Sequence, residues 1–249
     1  MLIHIVNPNT TRSMTEKIAV AARAVASPQA TILATQPDSG PPSIEGYYDE
    51  ALAVPGALMR IRQADADGAA AHIIACFDDT GLDAARSVAT APVIGIGEAA
   101  FHAASLIASR FSVVTTLERS VAAIEHNLTR YGLATRCARV RAADVEVLAL
   151  EDAASKARAK IDAAIAQAKR EDRADAIVLG CAGMADLAAD LSRRHGLPVV
   201  DGVAAAVGLA EALARAGLRT SKSGPYATPA AKIYAGSART ASPGPAGAA

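Results

Sequence analysis

The sequence predicts an α/β protein with mostly parallel sheets, and three observations carry that prediction. Short β-rich runs alternate along the chain with longer segments of helical period. A stretch of the first half returns in the second half at a nearly constant offset. Just over half of the 249 residues are hydrophobic, which is enough to cover both faces of buried parallel sheets.

The strand signals come in order. Runs rich in β-branched and other apolar residues predict strands at Leu2–Val6, Thr31–Thr35, His72–Ala75, Val93–Ile96, Ser112–Thr115, Cys137–Val140, Ile177–Gly180 and Val199–Val200. Helical segments separate most of them. One begins near Ser13, where Ser13 and Glu16 have the spacing of a capping box, and Pro28 lies just past its end. The clearest spans about Glu151 to Arg170, with Ala154, Ala157, Ile161, Ala164, Ile165 and Ala168 on one face. From Thr220 the composition shifts to Pro, Gly, Ser and Ala. Such a tail buries little, and its last dozen or so residues are expected to be disordered.

The repeat sets the architecture. "HIIAC", ending at Cys76, matches "IVLGC", ending at Cys181. "PVIGIGEAAFHAASLIA" from Pro92 aligns without a gap on "PVVDGVAAAVGLAEALA" from Pro198. The offset is 105 at the cysteines and 106 at the prolines. "LIHIVNPNTT" and "FSVVTTLERS" match more weakly. The expectation is two pseudo-symmetric Rossmann-like lobes, residues 1–108 and 109–217, each a mostly parallel sheet flanked by helices, with the active site in the cleft between them. A helix around 203–217 should pack on the first lobe, and residues 218–249 form a C-terminal tail.

Several function classes are disfavoured. Twenty-five basic residues balance twenty-five acidic ones, so there is no electrostatic footprint for nucleic acid or an anionic membrane. Tryptophan is absent and aromatics are sparse, which argues against a base-stacking platform. Three cysteines do not make a disulfide framework. "MLIHIVNPNTT" lacks the basic start of a signal peptide, and no run approaches the roughly 20 apolar residues of a membrane span. A soluble, cytoplasmic protein is expected. The five histidines, His4, His72, His102, His126 and His195, fall in no catalytic or zinc motif, and no metal is expected.

The matched cysteines point to chemistry. A lone cysteine at a strand end is usually a small inert hydrophobe, the reading given to Cys137. Two at equivalent strand ends of facing lobes are different. Cys76 and Cys181 can approach a flat carbon from opposite sides, one removing a proton and the other supplying one. A free thiol titrates near about 8.5, so one of them must be lowered. The "DDTG" and "AGM" turns, the latter containing Gly183, offer backbone N–H groups that favour a thiolate or a developing oxyanion. Asn7 and Thr115 end equivalent strands and are candidate substrate contacts, alongside a turn role for Asn7. Phe77 is a pocket wall or core; Asp78 and Asp79 are substrate contacts or helix-dipole partners.

Two other classes compete. "GIGEAA", Gly95–Ala100, matches a dinucleotide-binding turn, with Glu118 about 20 residues on. Its repeat partner "VDGVAA" lacks the first glycine, so a shared strand-to-helix turn explains both copies more simply. A bilobal binding protein without chemistry would account for the repeat but not for the paired thiols.

"NPNTT", "ACFDDTGLDAAR", "GIGEAA", "FSVVTT" and "LGCAGM", in that order, resemble the hydantoin racemase family, which includes allantoin racemases and belongs to the aspartate/glutamate racemase superfamily. The resemblance runs from about Met1 to Gly236. It implies racemisation of 5-substituted hydantoins, or of allantoin, without a cofactor. It implies that Cys76 and Cys181 are the acid/base pair, that Ile44 in "PPSIEG" sits on a substrate-facing loop, and that the protein is a homo-oligomer, a tetramer or larger. Amino-acid racemases of the superfamily carry Asn-Thr and Thr-His after the two cysteines. Here Phe77-Asp78 and Ala182-Gly183 stand there, which argues against free aspartate or glutamate as substrate.

Overall fold

The structure is a computed structural model that describes residues 1–152 and 154–232. The tail end expected to be disordered lies outside the described residues. Eight strands form two four-stranded parallel sheets. The first holds β1 (Leu2–Val6), β2 (Thr31–Thr35), β3 (Ala71–Ile74) and β4 (Val93–Gly95) in the order β2-β1-β3-β4. The second holds β5 (Phe111–Thr115), β6 (Cys137–Ala142), β7 (Ala176–Gly180) and β8 (Val199–Asp201) in the order β6-β5-β7-β8. The two orders are the same winding, so the sequence repeat is a repeat of topology. Central strands β3, β5 and β7 are buried throughout, because helices cover both faces, and they read as nearly continuous apolar runs.

Helices α1 (Arg12–Val25), α2 (Tyr47–Ala66), α3 (Leu82–Val88) and α4 (Ile96–Ile107) belong to the first half. Helices α5 (Glu118–Arg130), α6 (Ala157–Glu171), α7 (Ala188–His195) and α8 (Gly202–Arg215) belong to the second. Two helix starts differ from the sequence reading. Ser13 lies inside α1, whose N-cap is Thr11 and has no side-chain cap bond. Upstream of α6, which begins only at Ala157, a 3-10 turn spans Val147–Glu151. Propensity extends a pattern of alanines upstream, but Val147 and Leu150 are drawn instead toward the site and the second-lobe core.

Helix α8 follows the last strand of the second sheet yet packs against α1, α4 and β3 of the first half. Asp201 caps it, its carboxylate accepting from the N–H groups of Val203 and Ala204. Glu211 then accepts from the Ser27 N–H at 2.8 Å. The main core cluster joins both halves, running from Ile3, Ile73 and Phe101 to Phe111, Ile124 and Val203. All three phenylalanines form one ladder, Phe77 against Phe101 at 5.3 Å and Phe101 against Phe111 at 6.1 Å. It links the loop after β3 to the second sheet.

Candidate active site

In each sheet the winding reverses between its two central strands, β1 and β3 or β5 and β7, and open α/β sheets bind ligands beyond the carboxyl ends of such strands. Segments from all four meet here. Asn7, Pro8 and Asn9 follow β1, Ala75 to Asp78 follow β3, Thr116 follows β5, and Gly180 to Ala182 close β7. Met14, Ile44, Ser120 and Val147 complete a narrow pocket, with about 40 Å³ of internal room.

Cys76 and Cys181 line this pocket, one from each half, and both are free thiols. Their surroundings repeat as well. Each sulfur meets the backbone N–H two residues on, that of Asp78 for Cys76 and that of Gly183 for Cys181. The Thr80 hydroxyl also donates to the Cys76 sulfur at 3.3 Å. These donors do not produce the lowered thiol that the sequence suggested. Burial outweighs them, because a thiolate loses more hydration than two or three donors return. Cys181 is pushed up to about 11. Cys76 is also pushed well above the usual thiol range, by burial first and then by the negative charges of Asp78 and Glu50. Lys17, which pairs with Glu151 at 2.7 Å, favours the Cys181 thiolate. Asp78 itself is raised to about 7 by burial, with Glu50 and Asp79 adding to the effect.

Among the other expected site residues, Asn7, Ile44, Phe77 and Asp78 line the pocket. Asn7 is heavily engaged: its amide donates to Asn9 Oδ1 at 2.8 Å and to Thr15 Oγ1 at 3.0 Å, shaping the turn after β1. Phe77 is both wall and core, only 3 % exposed. Asp79, Thr115 and Gly183 lie outside the lining. Asp79 is buried beneath it, its carboxylate accepting from Gly97 and Glu98 N–H at the start of α4 and from the Tyr131 hydroxyl. Thr115 turns its hydroxyl to the Gly180 carbonyl at 3.0 Å and joins the central strands. Gly183 serves through its N–H on Cys181.

Pro8, Met14, Ser120 and Val147 were not anticipated. The repeat held the signal for two of them: Met14 and Ser120 are each the third residue of the helix after the first strand of their half. Likewise Asn7 and Thr116, not Thr115, each stand first after their strand. The dinucleotide-like turn offers no open cradle, since the N–H groups at the start of α4 already hold the Asp79 carboxylate. Cys137 is remote from the pocket, in β6, and burial pushes its thiol up to about 12. Among the described residues, no grouping of His, Cys, Asp or Glu is arranged to hold a metal ion, and no helix is long and apolar enough to cross a membrane.

Comparison with known proteins places this arrangement. Residues 3–210 match the Asp/Glu/Hydantoin racemase family. A hydantoin racemase of Rhizobium meliloti is 51% identical over 236 residues, which is 95% of this chain and 98% of that one. The structure of allantoin racemase from Klebsiella pneumoniae superposes with a TM-score of 0.95 at 48% identity, covering 98% of this chain and 99% of the other. That of allantoin racemase from Pseudomonas fluorescens gives 0.88 at 43%, covering 95% and 100%. Half the sequence shared along nearly the whole length, and one topology, lead to a single conclusion: the chain belongs to the Asp/Glu/Hydantoin racemase family and is an isomerase of the racemase kind.

Proposed function

We propose that the protein racemises 5-substituted hydantoins at C5 by proton transfer between two thiols, without a cofactor. One observation carries the reading: free thiols from equivalent places in two repeated halves line a single pocket. The C5 hydrogen of a hydantoin lies beside the C4 carbonyl. A thiolate on one face takes that proton, and the electron pair of the C–H bond moves into the ring as an enolate. The opposing thiol then returns a proton to C5 from the other face and becomes the thiolate. One S–H and one C–H bond break and one of each forms. No electrons leave the substrate, so proton transfer alone completes the reaction.

In this scheme Cys181, whose thiolate Lys17 favours, is the first base, and Cys76, beside Asp78, is the first acid. Hydroxyls of Thr116 and Ser120, with the polar turn of Asn7 and Asn9, supply hydrogen-bonding groups for ring N–H and C=O. None of the described residues lining the pocket is basic, and Asp78 is acidic. Both facts favour a neutral ring over the dicarboxylate of an acidic amino acid.

Allantoin, a hydantoin with a ureido group at C5, is a second substrate reading. It is favoured by the relatives of solved structure at 48% and 43% identity, which are allantoin racemases. The chemistry is the same. Polarimetry of L- and D-benzylhydantoin beside one enantiomer of allantoin separates the two. Loss of rotation is expected with the wild type and is expected to vanish in Cys76→Ser and Cys181→Ser with folding intact. Either single variant racemising at the wild-type rate would defeat the two-thiol scheme. The resemblance also supports a homo-oligomer, a tetramer or larger, which sedimentation velocity checks.

A further inference from the structure

The loop that carries Cys76 is held from below by a buried carboxylate. Asp79 is 4 % exposed and has a left-handed backbone, φ 54°, which an aspartate tolerates better than most residues. That conformation tucks its side chain under the loop. One carboxylate oxygen accepts from the Gly97 N–H at 2.9 Å. The other accepts from the Glu98 N–H at 2.8 Å and from the Tyr131 hydroxyl at 2.7 Å. The backbone N–H of Asp79 donates to the Cys76 carbonyl at 3.0 Å, closing the turn on the reactive residue. These contacts place a carboxyl group where the first turn of α4 presents N–H groups in need of an acceptor.

The glycines of "GIGEAA" exist for this contact. A Cβ on Gly95 would stand 2.0 Å from Asp79 Oδ1, and one on Gly97 would stand 2.3 Å from the Phe77 carbonyl and 2.9 Å from Asp79 Oδ2. A motif that resembles a phosphate cradle instead cradles a side chain of the same protein. The second half contributes as well. Tyr131 caps α5, and Asn127 on the same helix donates to the Asp78 carbonyl at 2.9 Å. Two side chains from the second lobe thus grip the Cys76 loop of the first.

We propose that Asp79, seated on α4 and gripped by Tyr131, is a positioning residue that sets where the Cys76 thiol stands relative to the pocket and to Cys181. The proposal rests on the racemase reading for its kinetic consequence but not for its structural one. Asparagine at this site would turn a donor amide toward at least one of three donors, so Asp79→Asn breaks the seat with little change in volume. Tyr131→Phe removes a single hydroxyl and keeps the ring against Phe101.

The test uses the full chain. Two readouts are taken together: turnover of benzylhydantoin and allantoin, and site-resolved alkylation of Cys76 and Cys181 by iodoacetamide across pH, read by mass spectrometry. In both variants kcat should fall about tenfold or more with KM within about threefold, since misplacing a reacting group by a fraction of an ångström acts on the transition state. The pH profile of Cys76 alkylation should move while that of Cys181 stays. An unmoved Cys76 profile overturns the proposal. So does a loss of thermal stability with both thiols altered alike, which marks general loosening. If Asp79→Asn does not fold, Tyr131→Phe decides alone. If the wild type turns over neither substrate, the racemase reading fails, and the alkylation profiles still decide whether Asp79 and Tyr131 position Cys76.

Discussion

Replacing His4 by asparagine interrogates a buried chain of hydrogen bonds in the first sheet. His4 and His72 pair across β1 and β3 and are both fully buried. The Thr35 hydroxyl meets His4 Nε2 at 2.7 Å, the two Nδ1 atoms meet at 3.1 Å, and His72 Nε2 meets Asp65 Oδ1 at 3.1 Å. Asp65 also accepts from the Thr90 and Ala91 N–H groups. A neutral His4 fits as donor to His72 and acceptor from Thr35. Burial first, and then the proximity of His72 and Arg60, lower its pKa from 6.5 to about 3. An unfolded chain therefore takes up a proton below 6.5 that the folded chain refuses until about pH 3. His4 contributes its full stabilisation above pH 6.5 and loses it as pH falls toward 3, up to about 5 kcal/mol across the window.

Asp78 and Asp79 oppose this trend. Their pKa values are raised to about 7, so each adds stability as pH falls from 7 toward 3.8. The decisive quantity is therefore the difference between wild type and variant. His4→Asn keeps an N–H for His72, loses the acceptor for Thr35, and should cost about 1 kcal/mol at pH 8. Urea unfolding followed by circular dichroism between pH 8 and pH 4.5 gives both curves. The wild-type advantage should fade as pH falls through 6.5, change sign near pH 6, and then reverse by about 1.4 kcal/mol per further pH unit. A difference that stays constant over that range would refute the reasoning.

Three further outcomes are expected. Because burial holds Cys181 near 11 and pushes Cys76 well above the usual thiol range, the base form is scarce at neutrality, and kcat/KM should rise with pH from 7 to 10; a rate that is flat over that interval would point to a thiolate already formed. Gly97→Ala forces a Cβ to 2.3 Å from the Phe77 carbonyl and should destabilise the fold by about 2 kcal/mol or more, read as a lowered urea midpoint, and reduce racemisation with it. Cys137→Ser, remote from the pocket, should leave racemisation within about twofold of wild type, and a larger loss would reopen the choice of thiols.

The strands were legible because parallel strands buried on both faces leave an uninterrupted apolar run whose ends punctuation residues mark, as at β1, β5 and β7. The start of α6 was not, since alanines upstream carry helical period whether or not tertiary contacts use it. Cys76 and Cys181 could be read as a pair because duplication writes the same strand end twice. Thr116 was harder to separate from Thr115: adjacent residues at a strand end point to opposite sides, and only the ending of β5 decides which one reaches the pocket.

By itself the sequence determined the two-lobed α/β topology, the matched thiols and the family resemblance, all of which are written in local pattern and repetition. Tertiary structure alone decided that burial raises both thiols, that Asp79 turns away from the pocket onto α4, and that Tyr131 reaches across from the other half. The physical reason is that a charge's energy depends on every group packed around it. Those neighbours come from segments far apart in the chain, 52 residues in the case of Asp79 and Tyr131.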